Sequence, residues 1–475
     1  MPGAQSPAAP DAGAHRPAPA CRASLTFVNH ASVLLSDGQV GVLTDPWYFG
    51  EAFHRGWSLL AENGDAQVRE VLARTHYIWI SHEHPDHFSP PFFVRYGELL
   101  REAGVRILFQ RTRDGRVAAY LRSRGFQVTE MRPGRQYRLG ARFSVSVAKS
   151  DLYDSALLAQ IDGLRIFNLN DCPIGSHAKL ARFVARHGRC DLLLAQFSYA
   201  AWKGGRADKA WRERAARAKL DALRRQISHL RPAACLAFAS FVRFSNQDNA
   251  YMNDAVNTPD AVLQALQDAG APVVFMQPGE TQDAARLCQR PESLRFWRDR
   301  YAAIAALPLA RYGESWDVPA LAQALRQYRE RMLRRNGSVL MRLARRVLPQ
   351  RPFAPARVRL TDLGLTVKVD VLARHGMEQV PDAQADVAMH SASLAYVLRH
   401  DFGLDTLVVN GCFEAAHPQG FARFAKCMAL GSLNAMGVYV GPAILGQRQA
   451  LALLWDKLRS VRRNAAATRD AGAGD

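Results

Sequence analysis

The stretch ISHEHPDHFSP brings three histidines and one aspartate into six consecutive positions. Imidazole and carboxylate groups are common metal donors, so this spacing indicates a metal site. His82 and His84 lie two residues apart and therefore point to the same side of an extended backbone. Asp86 and His87 follow the bend at the proline, and we expect them to face a second, adjacent position.

The elements that must position this stretch follow from the hydrophobic pattern. From residue 24 to residue 290, short β-rich runs alternate with segments of helical spacing. The run HYIWIS leads directly into the histidines, so we expect the end of a strand to hold them. The segment ALLAQIDGLRIFNLND predicts two strands joined at Asp162-Gly163, which is a strong hairpin signal. Two β-rich halves with helices outside them predict an αββα sandwich.

The pattern divides the chain into five parts. Residues 1–23 are rich in Ala, Pro and Gly, lack an apolar signal segment and predict a disordered leader. Residues 24–290 form the predicted metal-binding domain, and residues 291–352 a helical basic connector. Residues 353–462 predict a small α+β domain, and residues 463–475 a disordered tail.

The predicted α+β domain begins with ARVRLTDLGLTVKVDVL, which alternates like a hairpin. The segment ADVAMHSASLAYVLRHDFGLDTLVVNGCFEA predicts a strand, a helix and a second strand. This order faintly resembles the sterol-carrier-like lipid-binding fold, and we attach no function to that resemblance.

Composition excludes several classes of protein. No run of 18 or more apolar residues occurs, so we expect no membrane span. The seven cysteines are scattered and form no C-x-x-C pair, which argues against a disulfide framework and favours the cytoplasm. The formal net charge is +19, with a dense basic patch at residues 326–351. Because no nucleic-acid-binding motif accompanies this charge, we expect solvated helix faces and no nucleic-acid partner.

The segment SHEHPDHFS after an apolar strand resembles the first metal motif of the metallo-β-lactamase fold. The segment NHAS resembles the opening motif of the same superfamily. This resemblance implies that Asp45, in TDPW, supports the metal loop from behind the ligands. We expect His30, in NHAS, to approach the metals from behind their ligands as well. The resemblance also implies that Asp171, in NLNDC, is a carboxylate able to bridge two metals.

Longer motifs resemble the metal-binding half of the CMP-N-acetylneuraminate hydroxylase family over about residues 24–285: DPWYFGEAFHRGWSLL, YIWISHEHPDHFS, IFNLNDC and FSNQDNAYMNDAVNT. Members of that family use iron and O2 to insert a hydroxyl group, and the group includes enzymes that hydroxylate a guanidine nitrogen. The resemblance therefore implies a non-haem monooxygenase with one or two irons. Either His82, His84 and Asp171 or Asp86, His87 and Asp171 could supply the ligands, with Asp86 and Asp171 as the catalytic carboxylates.

The sequence departs from the fold's usual pattern in two places. The segments KSDLYDS and FSNQDN stand where the fold places further histidines, which argues against a standard dizinc hydrolase. A zinc- or manganese-dependent hydrolase remains the alternative. The Rieske pattern C-x-H…C-x-x-H is absent, so we expect electrons from a separate donor such as a ferredoxin, a cytochrome b5-like protein or a flavin reductase.

Substrate-binding residues are expected on the loops after the strands. The candidates are polar side chains: Lys149, Asp151, Asp154, Asn168, Asn170 and Asn246. The aspartates would pair with a cationic guanidinium, whereas a sugar nucleotide would need cations such as Lys149 and Arg243. No Gly-rich phosphate loop occurs, which favours an amino-acid-like substrate.

Overall fold

The structure, a computed structural model, describes residues 23–150, 154–381, 385–435 and 437–441. The predicted tail, Asp151 and all of the predicted leader except Ala23 lie outside the described residues. Over the described part of the chain, no helix is both long and apolar enough to cross a membrane.

The first part of the chain forms mainly strands, with helices between them. Its strands are β1 (Ser24–Asn29), β2 (Ser32–Ser36), β3 (Gly41–Thr44), β4 (Glu51–Ala52), β5 (Trp57–Leu59), β6 (Tyr77–Ile80), β7 (Arg106–Gln110), β8 (Gln127–Met131), β9 (Tyr137–Arg138), β10 (Phe143–Lys149), β11 (Ser155–Ile161), β12 (Leu164–Asn170), β13 (Leu192–Gln196), β14 (Ala234–Phe238), β15 (Val242–Phe244), β16 (Val273–Val274) and β17 (Thr281–Asp283). Its helices are α1 (Asp65–Ala73), α2 (Pro90–Glu102), α3 (Arg116–Ser123), α4 (His177–His187), α5 (Lys209–Leu230), α6 (Pro259–Leu266) and α7 (Pro291–Ala302).

The second part begins with two helices and continues as a small sheet with three more. Its elements are α8 (Val318–Arg335), α9 (Ser338–Val347), β18 (Ala356–Leu360), β19 (Leu365–Val369), β20 (Met377–Val380), β21 (Val387–Met389), α10 (Ser391–Arg399), α11 (Gly403–Asn410), β22 (Glu414–Ala415) and α12 (Gly420–Ala435).

Two seven-stranded sheets form the centre of the first part. Their strand orders are β17-β1-β2-β3-β6-β7-β8 and β16-β14-β13-β12-β11-β10-β9. Alternate residues of each strand face opposite sides. Phe27 and Trp79 join the apolar cluster shared with the second sheet, while Val28 and Ile80 pack with residues of α1 and α2. This arrangement confirms the predicted αββα sandwich.

The predicted hairpin is present between β11 and β12. The two strands are antiparallel and pair Ile161 with Leu164 across the turn. Asp162 and Gly163 both have positive φ, 51° and 88°, as a two-residue type I′ turn requires.

The predicted metal loop lies where parallel strands end. Strand β3 is parallel to β6 in the first sheet, and β12 is parallel to β13 in the second. Asp45 follows β3, His82 follows β6, Asp171 follows β12, and Gln196 ends β13. Because the carboxyl ends of parallel strands meet at one edge, these distant segments are brought together there.

The region predicted as a connector is divided between the two parts. Trp297 of α7 is fully buried in the sandwich core and stacks on Phe241, with ring centroids 4.0 Å apart. Tyr328 of α8 is buried in the second part, and its hydroxyl donates to the carbonyl of Met428 at 3.2 Å. Each helix therefore uses its apolar face to join a different core.

The small sheet has the order β20-β19-β18-β21-β22. The predicted hairpin is β18 and β19, which pair antiparallel. The expected second strand, LDTLVVN, is instead α11. Leu404 and Leu407 are buried three residues apart on it, and Gly411, at φ 66°, closes it with an N–H bond of 2.9 Å to the Leu407 carbonyl. Burial of one helical face thus outweighs the strand preference of its valines.

A left-handed turn locks the two parts together. Residues 53–55 have consecutive φ values of 50°, 51° and 62°. The Asn410 amide donates to the Phe53 carbonyl at 3.1 Å, and the Asn249 amide donates to the carbonyls of Gly56 and Asn410 at 2.8 and 2.7 Å. A Cβ added to Gly56 would lie 2.3 Å from Asn410 Cβ, so only glycine permits this approach.

Trp297→Ala should lower the free energy of unfolding by about 3–5 kcal/mol, because it empties a buried site in the core. Urea denaturation of the full chain measures the change. The matched variant is Phe296→Ala, whose side chain is only half-buried and should have a smaller effect. Equal losses in both variants would contradict the placement of α7 on the sandwich core.

Candidate metal centre

The metal loop begins directly after β6 and is closed by its own backbone. The N–H groups of His87 and Phe88 donate to the His84 carbonyl at 3.0 and 2.7 Å. His82, Asp86 and His87 are buried, and His84 is half-buried. The loop is thus a compact turn that directs its four donor side chains into the sheet edge.

The structure gathers the donors into two groups of three. In each group, one ligand atom per residue lies within 4.8 Å of the others. The first group contains His30, Asp86 and His87, and Asp86 Oδ2 lies 3.4 Å from His30 Nε2 and 3.3 Å from His87 Nε2.

The second group contains His82, His84 and Asp171. His82 Nε2 lies 2.8 Å from His84 Nδ1. The two groups adjoin, because Asp171 Oδ2 also lies 3.5 Å from His87 Nε2 of the first group. This position is compatible with a carboxylate shared by two ions.

The structure places His30 differently from the prediction made from the sequence. From the sequence we expect this residue behind the ligands, whereas the structure puts its Nε2 beside Asp86 and His87. The reason is local: His30 has a positive φ of 30° at the turn from β1 to β2, and this aims its ring at the metal loop. Asp171, by contrast, groups with His82 and His84 as one of the expected sets.

Asp45 lies behind the loop and is hydrogen-bonded to it. Its carboxylate is fully buried and accepts from the Ser81 backbone N–H and the Ser81 hydroxyl, both at 2.7 Å. His87 Nδ1 donates to its Oδ2 at 2.9 Å. Since Nδ1 is occupied, the imidazole is oriented with Nε2 toward Asp86 and Asp171.

Burial and charge give the histidines different protonation. Burial lowers the pKa of His82 well below its usual value and also lowers that of His84, so both are neutral donors. Burial alone would lower the pKa of His87 too, yet three surrounding carboxylates, Asp86 foremost, raise it well above its usual value. The site therefore attracts positive charge at His87 Nε2.

A cation fits this arrangement. His87 Nε2 and Asp86 Oδ1 are both buried, and neither has a hydrogen-bond partner among the residues described. Unpartnered buried polar atoms are rare, because each costs free energy. An ion bound between the donors would satisfy both atoms. The donors are imidazoles and carboxylates without thiolate, a set that suits iron, zinc or manganese.

Asp154 lies at the edge of the second group. Its Oδ1 is 3.9 Å from His82 Nε2, and its side chain is about one-fifth exposed, at 21%. It comes from KSDLYDS, where the fold usually places a histidine. Asp154 is therefore close enough to meet a ligand or a substrate of the centre.

The other predicted substrate residues are dispersed. Asn170 borders a cavity beside Asp171, and Lys149 is exposed at the end of β10. Asn168 is buried between the sheets, with no hydrogen-bond partner among the described residues. Asn246 is buried at the left-handed turn, where its side chain accepts from the Asp248 N–H at 3.1 Å and donates to the Arg55 carbonyl at 3.4 Å. Asn246 thus acts within the protein's own turn.

Two residues near the metal centre were not predicted from the sequence. Gln196 donates from Nε2 to Asp171 Oδ1 at 3.0 Å and fixes that carboxylate. Its position at the end of a buried strand was a usable signal. Lys219 lies close enough to Asp171 and Asp154 for both to affect its pKa. Within a helix rich in Lys and Arg, nothing in the sequence distinguishes it.

The sandwich is of the metallo-β-lactamase type, and its donor groups form a candidate metal site. Residues 24–182 match the family model described as the Beta-lactamase superfamily domain.

Known proteins of two kinds resemble the chain. It is 26% identical over 286 residues to the cytidine monophosphate-N-acetylneuraminic acid hydroxylase of Pongo pygmaeus, covering 56% of this chain and 47% of that protein. The chain thus spans about half the length of the curated relatives it matches. Among solved structures, CmlA, a diiron β-hydroxylase from Streptomyces venezuelae, shares 17% identity at a TM-score of 0.39, over 56% of this chain and 55% of that one. Igni18, a metallo hydrolase from Ignicoccus hospitalis, shares 17% identity at a TM-score of 0.39, over 55% and 97%.

Asp45→Asn should weaken metal binding by about 10- to 100-fold, because it removes the charge that orients His87. Competition with a metal-chelating dye measures the affinity. Asp37→Asn is the matched control: Asp37 is also buried, but it caps the turn at the opposite end of β3 through the N–H groups of Gln39 and Val40. Unchanged affinity in the Asp45 variant would argue against its supporting role.

Proposed function

We propose that the protein is a non-haem iron-dependent monooxygenase that hydroxylates a small polar metabolite. The observation that carries this proposal is the composition of the two donor groups. Each contains two histidines and one aspartate. Two His and one carboxylate with open positions is the arrangement typical of non-haem Fe(II) oxygenases. The adjoining groups would accommodate two irons.

The relatives support the same chemistry. The first match is named as a hydroxylase, and its similarity extends over more than half of this chain. We carry that activity over as part of the proposal, for the metal-binding part of the chain. Bound iron would supply the redox chemistry with O2, while the protein would orient the substrate and exclude water.

Residues of the chain would orient the metal ligands and set the charge of the site. Asp45 would keep the His87 ring in place, and Gln196 would fix one oxygen of Asp171 while the other faces His87. Asp86 and Asp171 are the catalytic carboxylates of the proposal. Burial alone would raise the pKa of Asp86, but His87 and His30 lower it well below its usual value and keep it anionic. Two anionic oxygen donors would favour a cationic metal over a proton.

We further propose that a separate one-electron donor reduces the centre. A ferredoxin, a cytochrome b5-like protein or a flavin reductase would serve. The formal net charge of +19 favours an acidic carrier, because opposite charge speeds encounter. The described cysteines form no disulfide, and the cytoplasm remains our prediction for the location.

The substrate would be an amino acid hydroxylated at a guanidine nitrogen, such as arginine, or a sugar nucleotide. Asp154 at the rim of the second group would suit a guanidinium. Lys149 at the end of β10 would suit a phosphate.

A zinc- or manganese-dependent hydrolase is the second candidate. The observation that favours it is the same donor set, since imidazole and carboxylate bind these metals as well. In that case the metal would lower the pKa of a bound water and polarise a phosphodiester, lactone or amide.

Metal analysis combined with oxygen consumption separates the two candidates. Protein purified without oxygen should contain iron, and it should consume O2 only when reductant and substrate are both supplied. Stoichiometric zinc without iron, together with hydrolysis that proceeds without O2, would assign the protein to the hydrolases.

His84→Ala should remove the metal held by the second group, because it deletes one of the three donors of that group. Elemental analysis of the purified variant measures the loss. His375→Ala is the control, since His375 is exposed in the second part of the chain and should leave the metal content unchanged. Full metal content in the His84 variant would count against both enzymatic proposals.

A further inference from the structure

A cavity opens beside Asp171, between the start of α4 and the middle of α5. Its volume is about 490 Å³. Asn170 and Gln196 form its inner end, and Gln196 holds the Asp171 carboxylate. The cavity therefore extends to Gln196, the residue that holds one donor of the metal centre.

Cationic groups dominate the charged lining of this cavity. Lys179, Lys219 and Arg225 line it, and no carboxylate does so among the residues that the structure describes. Arg225 Nε already donates to the Gly175 carbonyl at 2.7 Å, and Lys179 Nζ donates to the Pro173 carbonyl at 3.1 Å. These two cations are thus engaged by the rim of the cavity.

Lys219 is different. It is half-buried and makes no hydrogen bond or ion pair with any residue in the described part of the chain. Burial lowers its pKa, while Asp171 and Asp154 act in the opposite direction. Its ammonium therefore lies near the two carboxylates without closing a contact on either, and it stays available to a ligand in the cavity.

A second lysine reinforces the positive charge. Lys203, on the loop after β13, is also half-buried and has no hydrogen bond or ion pair among the described residues. Burial, together with a smaller effect of the nearby Lys219, lowers its pKa to about 8. Two neighbouring, partly desolvated cations repel each other, and an anion bound between or beside them would relieve that repulsion.

We infer that the cavity binds an anionic group of the substrate, a carboxylate or a phosphate, with Lys219 as its direct partner and Lys203 adding to the attraction. This placement leaves the reacting end of the molecule at Asp171. The identification of the ligand as a substrate rests on the proposed function; the anion site itself does not. An amino acid would offer its carboxylate, and a sugar nucleotide its phosphate.

The test is calorimetric binding of inorganic phosphate and, separately, of acetate to the full chain. The wild type should bind at least one of them. Lys219→Gln should weaken that binding about tenfold, as expected for the loss of a charge-assisted hydrogen bond. Lys203→Gln should weaken it less, and Lys219→Arg should retain most of it. Tighter binding of phosphate or of acetate indicates which anionic group the site prefers.

Lys209→Gln is the matched control, since Lys209 lies on the same helix but is exposed and should leave binding unchanged. Metal content is measured in every variant, so that anion bound directly to metal is recognised. Equal binding by wild type and Lys219→Gln, or no binding of either anion by the wild type, overturns the inference. Calorimetric anion binding needs no O2, so it is independent of the proposed monooxygenase activity. If binding depends on Lys219 but the protein consumes no oxygen, the anion site is retained and the monooxygenase proposal is rejected.

Discussion

The buried carboxylate of Asp45 is the interaction on which the metal centre depends. Burial is the largest influence on its pKa and raises it, so the anion persists only because Ser81 and His87 donate to it. Those hydrogen bonds connect the end of β3 to the loop after β6. They also fix the tautomer of His87, because Nδ1 must carry the proton and Nε2 is left for a metal. One side chain thereby sets both loop position and donor chemistry.

Residues with positive φ lie around the same metal centre. His30, Asp45 and Asn170 have φ values of 30°, 35° and 40°, a region that most residues avoid. Histidine, aspartate and asparagine are among the types that enter it most readily. Such conformations persist where the surrounding structure enforces them, and they cluster at functional sites. Here the two packed sheets hold these residues in place, and six donors from three separate segments converge.

Features formed by residues close together in the sequence could be predicted, whereas contacts between distant segments could not be predicted from spacing. The metal loop and the Asp162-Gly163 hairpin are local, so spacing alone predicts them. Asp171 was reached only through family resemblance, since no spacing rule links it to the loop. The role of His30 beside Asp86 depends on how the turn after β1 lies against the loop after β6 in three dimensions. The helix α11 was mistaken for a strand, because its valines favour β structure until burial of one face decides otherwise.

The charge balance of the centre connects the metal groups to the cavity. Asp45, Asp86, Asp154 and Asp171 together would neutralise two divalent cations, provided that the histidines are neutral. The positive charge of Lys219 would then have no counterpart in the site, and Lys203 would add to the surplus. With a single divalent ion, the carboxylates would instead be in excess and Lys219 would offset part of it. A centre that holds two metals therefore requires an anionic ligand to balance the lysines, whereas a centre that holds one metal does not. The same few side chains thus link the number of metals to the charge of the substrate.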